Sequence, residues 1–157
     1  MIALRLVHLI ENHSEELATE ILFKLKNSPR TKGMNNVPSE ELHKRTYELL
    51  HELGSWLLSK SESDVRDAYI AIGARRKAQG VPLSEFSWAV TLTKEHVWSF
   101  LQRQGFLLNS VELYGQLELL SRLDQFFEHA LCYAAEGYER NGAQPQSVTH
   151  HRAAMAM

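Results

Sequence analysis

The sequence is poor in the residues that cross-link a chain, anchor it in a membrane or give it a strong charge. Its 157 residues include one cysteine, Cys132, which excludes an intramolecular disulfide and a multi-cysteine metal site. The 17 basic and 19 acidic residues give a formal net charge of −2, so the chain lacks the basic excess that nonspecific nucleic-acid binding requires. No apolar run approaches the roughly 20 residues of a membrane span. We therefore expect a cytoplasmic protein that binds neither nucleic acid nor membrane.

Hydrophobic residues recur at three- and four-residue steps along most of the chain, and no stretch has the alternation of a β-strand. This pattern predicts an all-α fold, a single bundle of about five principal helices. The predicted helices cover about residues 2–27, 39–59, 61–80, 82–105 and 109–140. The apolar periodicity is lost after the last of them. Residues 1–140 are therefore predicted to form one helical domain, and residues 141–157 a flexible C-terminal tail or linker.

Residues typical of helix ends support the boundaries in the middle of the chain. Ser61 and Asp64 have the spacing of a capping box at the start of the third predicted helix. Gly80 follows the end of that helix, where a left-handed C-cap favours a residue without a Cβ. Pro82 fits the first turn of the fourth helix. We therefore predict a sharp corner between these two helices.

The fifth predicted helix has two apolar seams. The first consists of Leu113, Leu117, Leu120, Asp124, Phe127, Leu131, Ala134 and Tyr138. The second consists of Leu119, Leu123, Phe126, Ala130, Tyr133 and Gly137. Two seams indicate a helix that is buried on two sides. We predict that Phe126, Ala130, Tyr133 and Gly137 contact a second copy in a homodimer. The alternative is that both seams face other helices of the same chain.

Eight histidines make metal binding worth testing against the sequence. The pairs Glu40–His43 and Glu48–His51 match the Glu-x-x-His element of di-iron bundles. Such a site needs that element on two different helices, whereas both pairs lie on the second predicted helix. A solvated charged face is the better interpretation, and we predict no metal site.

Heme is the second cofactor to consider, because a histidine in a helical core can be its axial ligand. His13 lies within an apolar stripe, and His96 and His129 lie beside apolar residues. No spacing among the three fixes a pocket, and a hydrogen-bonded structural role is the commoner one for such histidines. We predict that the domain needs no cofactor.

The sequence contains no nucleophile elbow and no phosphate-binding loop, so we predict that the protein is not an enzyme. Asp124 is the one carboxylate at a predicted core position of the fifth helix, and a buried carboxylate needs a partner. We predict that it pairs with Arg76, whose aliphatic stem can lie on the apolar face of the third helix. Arg122 is an alternative cation, and a place for Asp124 in a ligand pocket is the functional alternative.

Four segments, in this order, resemble the N-terminal domain family of RsbRD, the RsbT co-antagonist proteins. They are LVHLIENHSEELATEIL, SWLLSKSESDVRDAY, IGARRKAQGVPLSEFSWAVTLTKEHVWSFL and ELYGQLELLSRLDQFFEHALCYAAEGYER. The resemblance covers about residues 1–140. Its most specific part is the corner GVPLSE between the third and fourth helices.

The resemblance implies a bacterial signal-transduction input domain that is all-helical, tends to dimerise and commonly precedes an output module. The related RsbR input domain resembles a globin without heme, so a globin-like arrangement is also implied. The family supplies no ligand residues to assign. Our first hypothesis is a non-enzymatic sensory or protein-interaction domain that acts as a homodimer, with an unknown signalling partner. The alternative is a small-molecule or heme-binding sensor module.

Overall fold

The computed structural model describes residues 4–104 and 110–156, and the side chains of residues 4–104 and 113–140. Its helices are α1 (Leu4–Asn12), α2 (Ser14–Asn27), α3 (Ser39–His51), α4 (Glu62–Ala78), α5 (Leu83–Arg103) and α6 (Ser110–Ala156). A 3₁₀ segment (Pro29–Asn36) precedes α3, and a π-helical turn (Ser55–Ser59) follows it. The described residues contain no strand, which confirms the all-α prediction.

The helices pack around one hydrophobic core. α4 lies along α6, α2 lies against α3, and α5 packs against the 3₁₀ segment, α2 and α6. The largest fully buried side chains come from α1, α2, α3, α5, α6 and the segments beside α3: Leu6, Ile10, Leu17, Ile21, Met34, Leu50, Leu53, Leu101, Leu119 and Leu123. The single bundle follows the prediction, and the globin-like arrangement stays a prediction.

The first predicted helix is two helices, because the chain breaks at His13. The backbone there has φ −106° and ψ 16°, outside the usual helical values. Nδ1 of His13 donates a hydrogen bond to the carbonyl oxygen of Leu9 at 2.9 Å. The imidazole ring also packs on Phe100 of α5, with 5.3 Å between ring centroids. His13 therefore joins two helices to α5 instead of continuing one long helix.

The segment between α2 and α3 is more ordered than a simple break. Thr31 and Met34 of the 3₁₀ segment are buried. The Thr31 hydroxyl donates to the carbonyl oxygen of Leu25 at 2.7 Å. Nζ of Lys26 donates to the carbonyl oxygens of Met34 and Val37, at 3.1 and 2.8 Å. These bonds make the segment part of the core in spite of its turn-like composition.

The corner between α4 and α5 agrees with its sequence signals. Ser61 caps α4 by accepting a hydrogen bond from the Asp64 backbone, and the Asp64 carboxylate accepts one from the Ser61 backbone. Gly80 has φ +80°, which is the left-handed conformation that a residue with a Cβ rarely adopts. The capping box and the glycine C-cap are both confirmed.

α6 ends at Ala156, beyond the end that we predicted near Arg140. Side chains after Arg140 lie outside the described set. The assignment of residues 141–157 as a separate tail or linker therefore stays a prediction.

Candidate functional site: the junction of α4 and α6

The backbones of α4 and α6 are in close contact at two glycines. A Cβ on Gly73 of α4 would overlap the carbonyl oxygen of Ala134, and one on Gly137 of α6 would overlap the carbonyl oxygen of Ile70. Any side chain at either position would therefore force the two helices apart. The pair Gly73 and Gly137 fixes the distance between α4 and α6.

The four residues that we predicted to contact a second copy lie at this junction. Phe126 and Ala130 are buried within one chain. The Phe126 ring packs against Trp56 and Tyr69, at 5.7 and 5.8 Å between centroids. Gly137 lies against the backbone of α4. The Tyr133 hydroxyl donates a hydrogen bond to Glu62 in the first turn of α4. The seam is therefore covered by α4 and the π-helical turn of the same chain.

Because this seam is buried within one chain, our prediction that its four residues contact a second copy is corrected. The small residues at 130 and 137 do allow close approach, but the approaching helix is α4. The sequence shows that a face is apolar and narrow, and it does not show which helix covers it. For this seam, the alternative interpretation of packing within one chain agrees with the structure.

A carboxylate joins the first turn of α4 to α6. Oε1 of Glu62 accepts hydrogen bonds from the Tyr133 hydroxyl and from Nδ1 of His129, both at 2.7 Å. The bond from Tyr133 and then the one from His129 hold the pKa of Glu62 below its ordinary value. The same carboxylate raises the pKa of Tyr133. His129 therefore has a polar partner at the edge of the bundle.

The last turn of α4 is joined to α3 by a second carboxylate, Glu41. The guanidinium groups of Arg75 and Arg76 both bond to it, the former through Nε at 2.9 Å and through Nη2, the latter through Nη1. The Gln79 amide donates to Glu41 at 3.1 Å. The bond from Arg75, with help from Arg76 and Gln79, holds the pKa of Glu41 far below its usual range.

The predicted pair of Arg76 and Asp124 is therefore wrong. Arg76 is buried, as expected, but its partners are Glu41 and Gln79. Asp124 lies 3.4 Å from Nζ of Lys94 on α5, and 46% of its side-chain surface is exposed. Its seam is exposed at Leu113 and Leu117 and is first buried at Phe127, so the apolar pattern overstated the burial of this carboxylate.

The histidines considered as ligands have separate polar partners. Nε2 of His96 is 2.8 Å from Glu20, and Nε2 of His43 is 3.0 Å from Glu15. His51 lies 3.4 Å from the Ser14 hydroxyl. Among the described residues, no group of three or more His, Cys, Asp and Glu side chains could hold a metal ion.

The first turns of α6 have an apolar surface that the sequence analysis did not single out. Leu113, Tyr114 and Leu117 are 50, 77 and 56% exposed and lie on adjacent turns. We call these three residues the α6 strip. Leu113 and Leu117 belong to the first predicted seam, so the sequence pattern did mark them as apolar. We assigned the dimer contact to the second seam and therefore did not predict the exposure of these residues. No described helix has the length and apolar content of a membrane span.

Comparison with protein families gives one match of broad extent. The model of the RsbT co-antagonist protein RsbRD N-terminal domain matches residues 15–153, which include α2 to α5 and most of α6. The curated proteins and the solved structures gave no match. The match confirms the suspected family: it covers the first quoted segment from Glu15 onward and the other three segments in full, and it extends past Arg140. The chain belongs to the RsbRD N-terminal domain family, whose members are input domains of bacterial stress signalling.

Proposed function

We propose that the chain is a non-enzymatic input domain that acts as a homodimer through the α6 strip. The observation that carries the proposal is the exposure of three large apolar side chains, Leu113, Tyr114 and Leu117, on one helical surface. Exposed apolar surface of this kind is commonly buried by association. The same surface on two copies gives a closed two-fold contact.

The charge and length of α6 support a second copy as the occupant of the strip. None of the three residues is charged, so two copies of the strip meet without like-charge repulsion. α6 spans 47 residues, about 70 Å, and the strip shares its turns with the buried Gly115 and Gln116, so the bundle covers one face of these turns and the strip occupies another. Pairing through the strip therefore leaves the junction with α4 intact.

The junction also supports a route for the signal. Gly73 and Gly137 hold the two backbones in direct contact, and Glu62 bonds to α6 one turn from that contact. A shift of α4 would therefore move α6, which continues to Ala156. The downstream partner would be another protein of bacterial stress signalling, in keeping with the co-antagonist role that the family's name gives.

Sedimentation equilibrium tests the homodimer. Wild-type protein is expected to dimerise at tens of micromolar, and Leu117→Glu is expected to be a folded monomer. Phe23→Glu is the matched control, because Phe23 is 70% exposed on α2 and also exchanges an exposed apolar side chain for a carboxylate. The control is expected to dimerise as the wild type does. A monomeric wild type, or a dimer that survives Leu117→Glu, would contradict the proposal.

A further inference from the structure

A chamber of about 160 Å³ lies between α3, α4, α5 and α6. A cavity of similar volume in another protein admits benzene. Its wall is mainly apolar and includes four aromatic side chains and two alanines: Trp56, Tyr69, Phe86, Phe127, Ala89 and Ala130. The apolar wall atoms that face this space lack the packing contacts of core atoms. A ligand that filled the chamber would restore those contacts.

Two polar groups on the wall keep hydrogen-bonding capacity. The Tyr69 hydroxyl makes no hydrogen bond to a described residue. A tyrosine is already protonated at neutral pH, and burial raises the pKa of this phenol further. Arg76 has five N–H donors, and its bonds to Glu41 and Gln79 both run through Nη1. A ligand oxygen could therefore accept a hydrogen bond from the wall.

The other polar groups of the wall are already occupied or lie at its edge. The hydroxyls of Thr46 and Thr93 donate to carbonyl oxygens of their own helices, at 2.9 and 2.8 Å. Arg45, Glu48 and Glu52 are exposed and mark the side of the chamber that opens to solvent. The one charged group buried in the wall, Arg76, is paired with Glu41, and the second cation on that carboxylate, Arg75, has 54% of its side-chain surface exposed to solvent.

We propose that this chamber binds a compact, uncharged, mainly apolar molecule, of about the size of a substituted benzene, with one hydrogen-bonding oxygen. A charged ligand would lose its hydration without gaining an unpaired counter-ion. The lining, made up of described residues, contains no histidine that could ligate heme, and the volume is that of a much smaller molecule. The ligand would touch α4 and α6 beside the Gly73–Gly137 contact, and its binding does not depend on the homodimer.

Calorimetric titration of the full chain with three matched probes tests the chemical class. p-Cresol, toluene and 4-methylbenzoate share one ring and one methyl group and differ in the polar group. We expect p-cresol to bind most tightly, toluene more weakly and 4-methylbenzoate weakest. Tightest binding of the carboxylate would overturn the assignment of an uncharged ligand. Failure of all three to bind at millimolar concentration would overturn the site.

Two variants locate the binding in the chamber. Tyr69→Phe removes only the hydroxyl, so it should weaken p-cresol binding about 2- to 10-fold and leave toluene unchanged. Ala130→Leu should fill the chamber and lower the affinity for both probes at least about 10-fold. Ala71→Leu adds the same bulk at an exposed position of α4 and should bind as the wild type does.

If Ala130→Leu does not fold, the smaller substitution Ala89→Val replaces it. Ala89→Val should also lower the affinity for both probes. Binding that neither chamber variant alters would place the probes elsewhere and contradict the proposal. If Tyr69→Phe lowered the affinity for p-cresol and for toluene equally, the Tyr69 hydroxyl would have no part in recognising the ligand oxygen, and only an apolar cavity would remain of the proposal.

Discussion

Two segments of α6 have similar compositions and opposite surroundings. Residues 113–117 and residues 126–137 both combine aromatic, aliphatic and small side chains at helical spacing. The first group includes three large apolar side chains in solvent, whereas the second is covered by α4. The difference comes from the partner helix, because α4 packs against the later segment, where Gly73 lies in contact with Ala134. Apolar spacing marks a surface that will be covered, and the fold decides what covers it.

The largest effect is expected where the two backbones touch. Gly137→Val would place a branched side chain against the carbonyl oxygen of Ile70, and the rigid backbone cannot move aside. We expect a loss of more than about 4 kcal/mol in the free energy of unfolding, or no folding at all. Urea denaturation followed by circular dichroism measures it.

The control for that substitution is Ser121→Ala, which changes an exposed position of α6 between the two segments. It should alter stability by no more than about 0.5 kcal/mol. A Gly137→Val variant as stable as this control would show that α4 and α6 do not meet as described.

The next effect compares one aromatic side chain from each of the two α6 segments. Phe126→Ala removes a buried ring from a cluster with Trp56 and Tyr69, so it should lower the free energy of unfolding by about 3 kcal/mol. Tyr114→Ala removes an exposed ring and should change it by less than about 0.5 kcal/mol at low protein concentration. Equal losses of unfolding free energy in urea denaturation would contradict the difference in burial between the two segments.

The smallest effect concerns Glu41, the carboxylate that joins the last turn of α4 to α3. Glu41→Gln leaves the buried Arg76 without its anionic partner, and we expect a loss of about 1–2 kcal/mol at pH 7. Because folding lowers the pKa of Glu41, its contribution is present above its unfolded pKa of about 4.5 and is lost as the pH falls below that value.

Urea denaturation between pH 7 and pH 3 measures this contribution. Wild-type stability should decline below about pH 4.5, and the decline should be shallower in Glu41→Gln because the titrating group is gone. Glu40→Gln, on the neighbouring exposed position of α3, is the matched control and should keep the wild-type profile. Identical acid profiles for Glu41→Gln and the wild type would contradict the assigned role of Glu41.

Local signals predicted most of the helices and their ends. The 3.6-residue periodicity gave the all-α class, and Ser61 with Asp64 and Gly80 gave a helix start and a helix end that the structure confirms. The break at His13 and the buried 3₁₀ segment were not predicted. His13 depends on its contact with Phe100, and Thr31 depends on a carbonyl of α2. Neither contact leaves a mark in the spacing of apolar residues.

The sequence by itself determined which residues must be helical, which surfaces must be apolar and that Arg76 would lie in the core, because these depend on periodicity and on neighbours within a few positions. Only the tertiary structure decided that Arg76 bonds to Glu41, 35 residues away, and that α4 covers the seam of Phe126, Ala130, Tyr133 and Gly137. The physical reason is that many helix pairings satisfy the same apolar pattern. The choice among them rests on backbone contacts such as that of Gly73 with Ala134, which exist only once two distant segments have met.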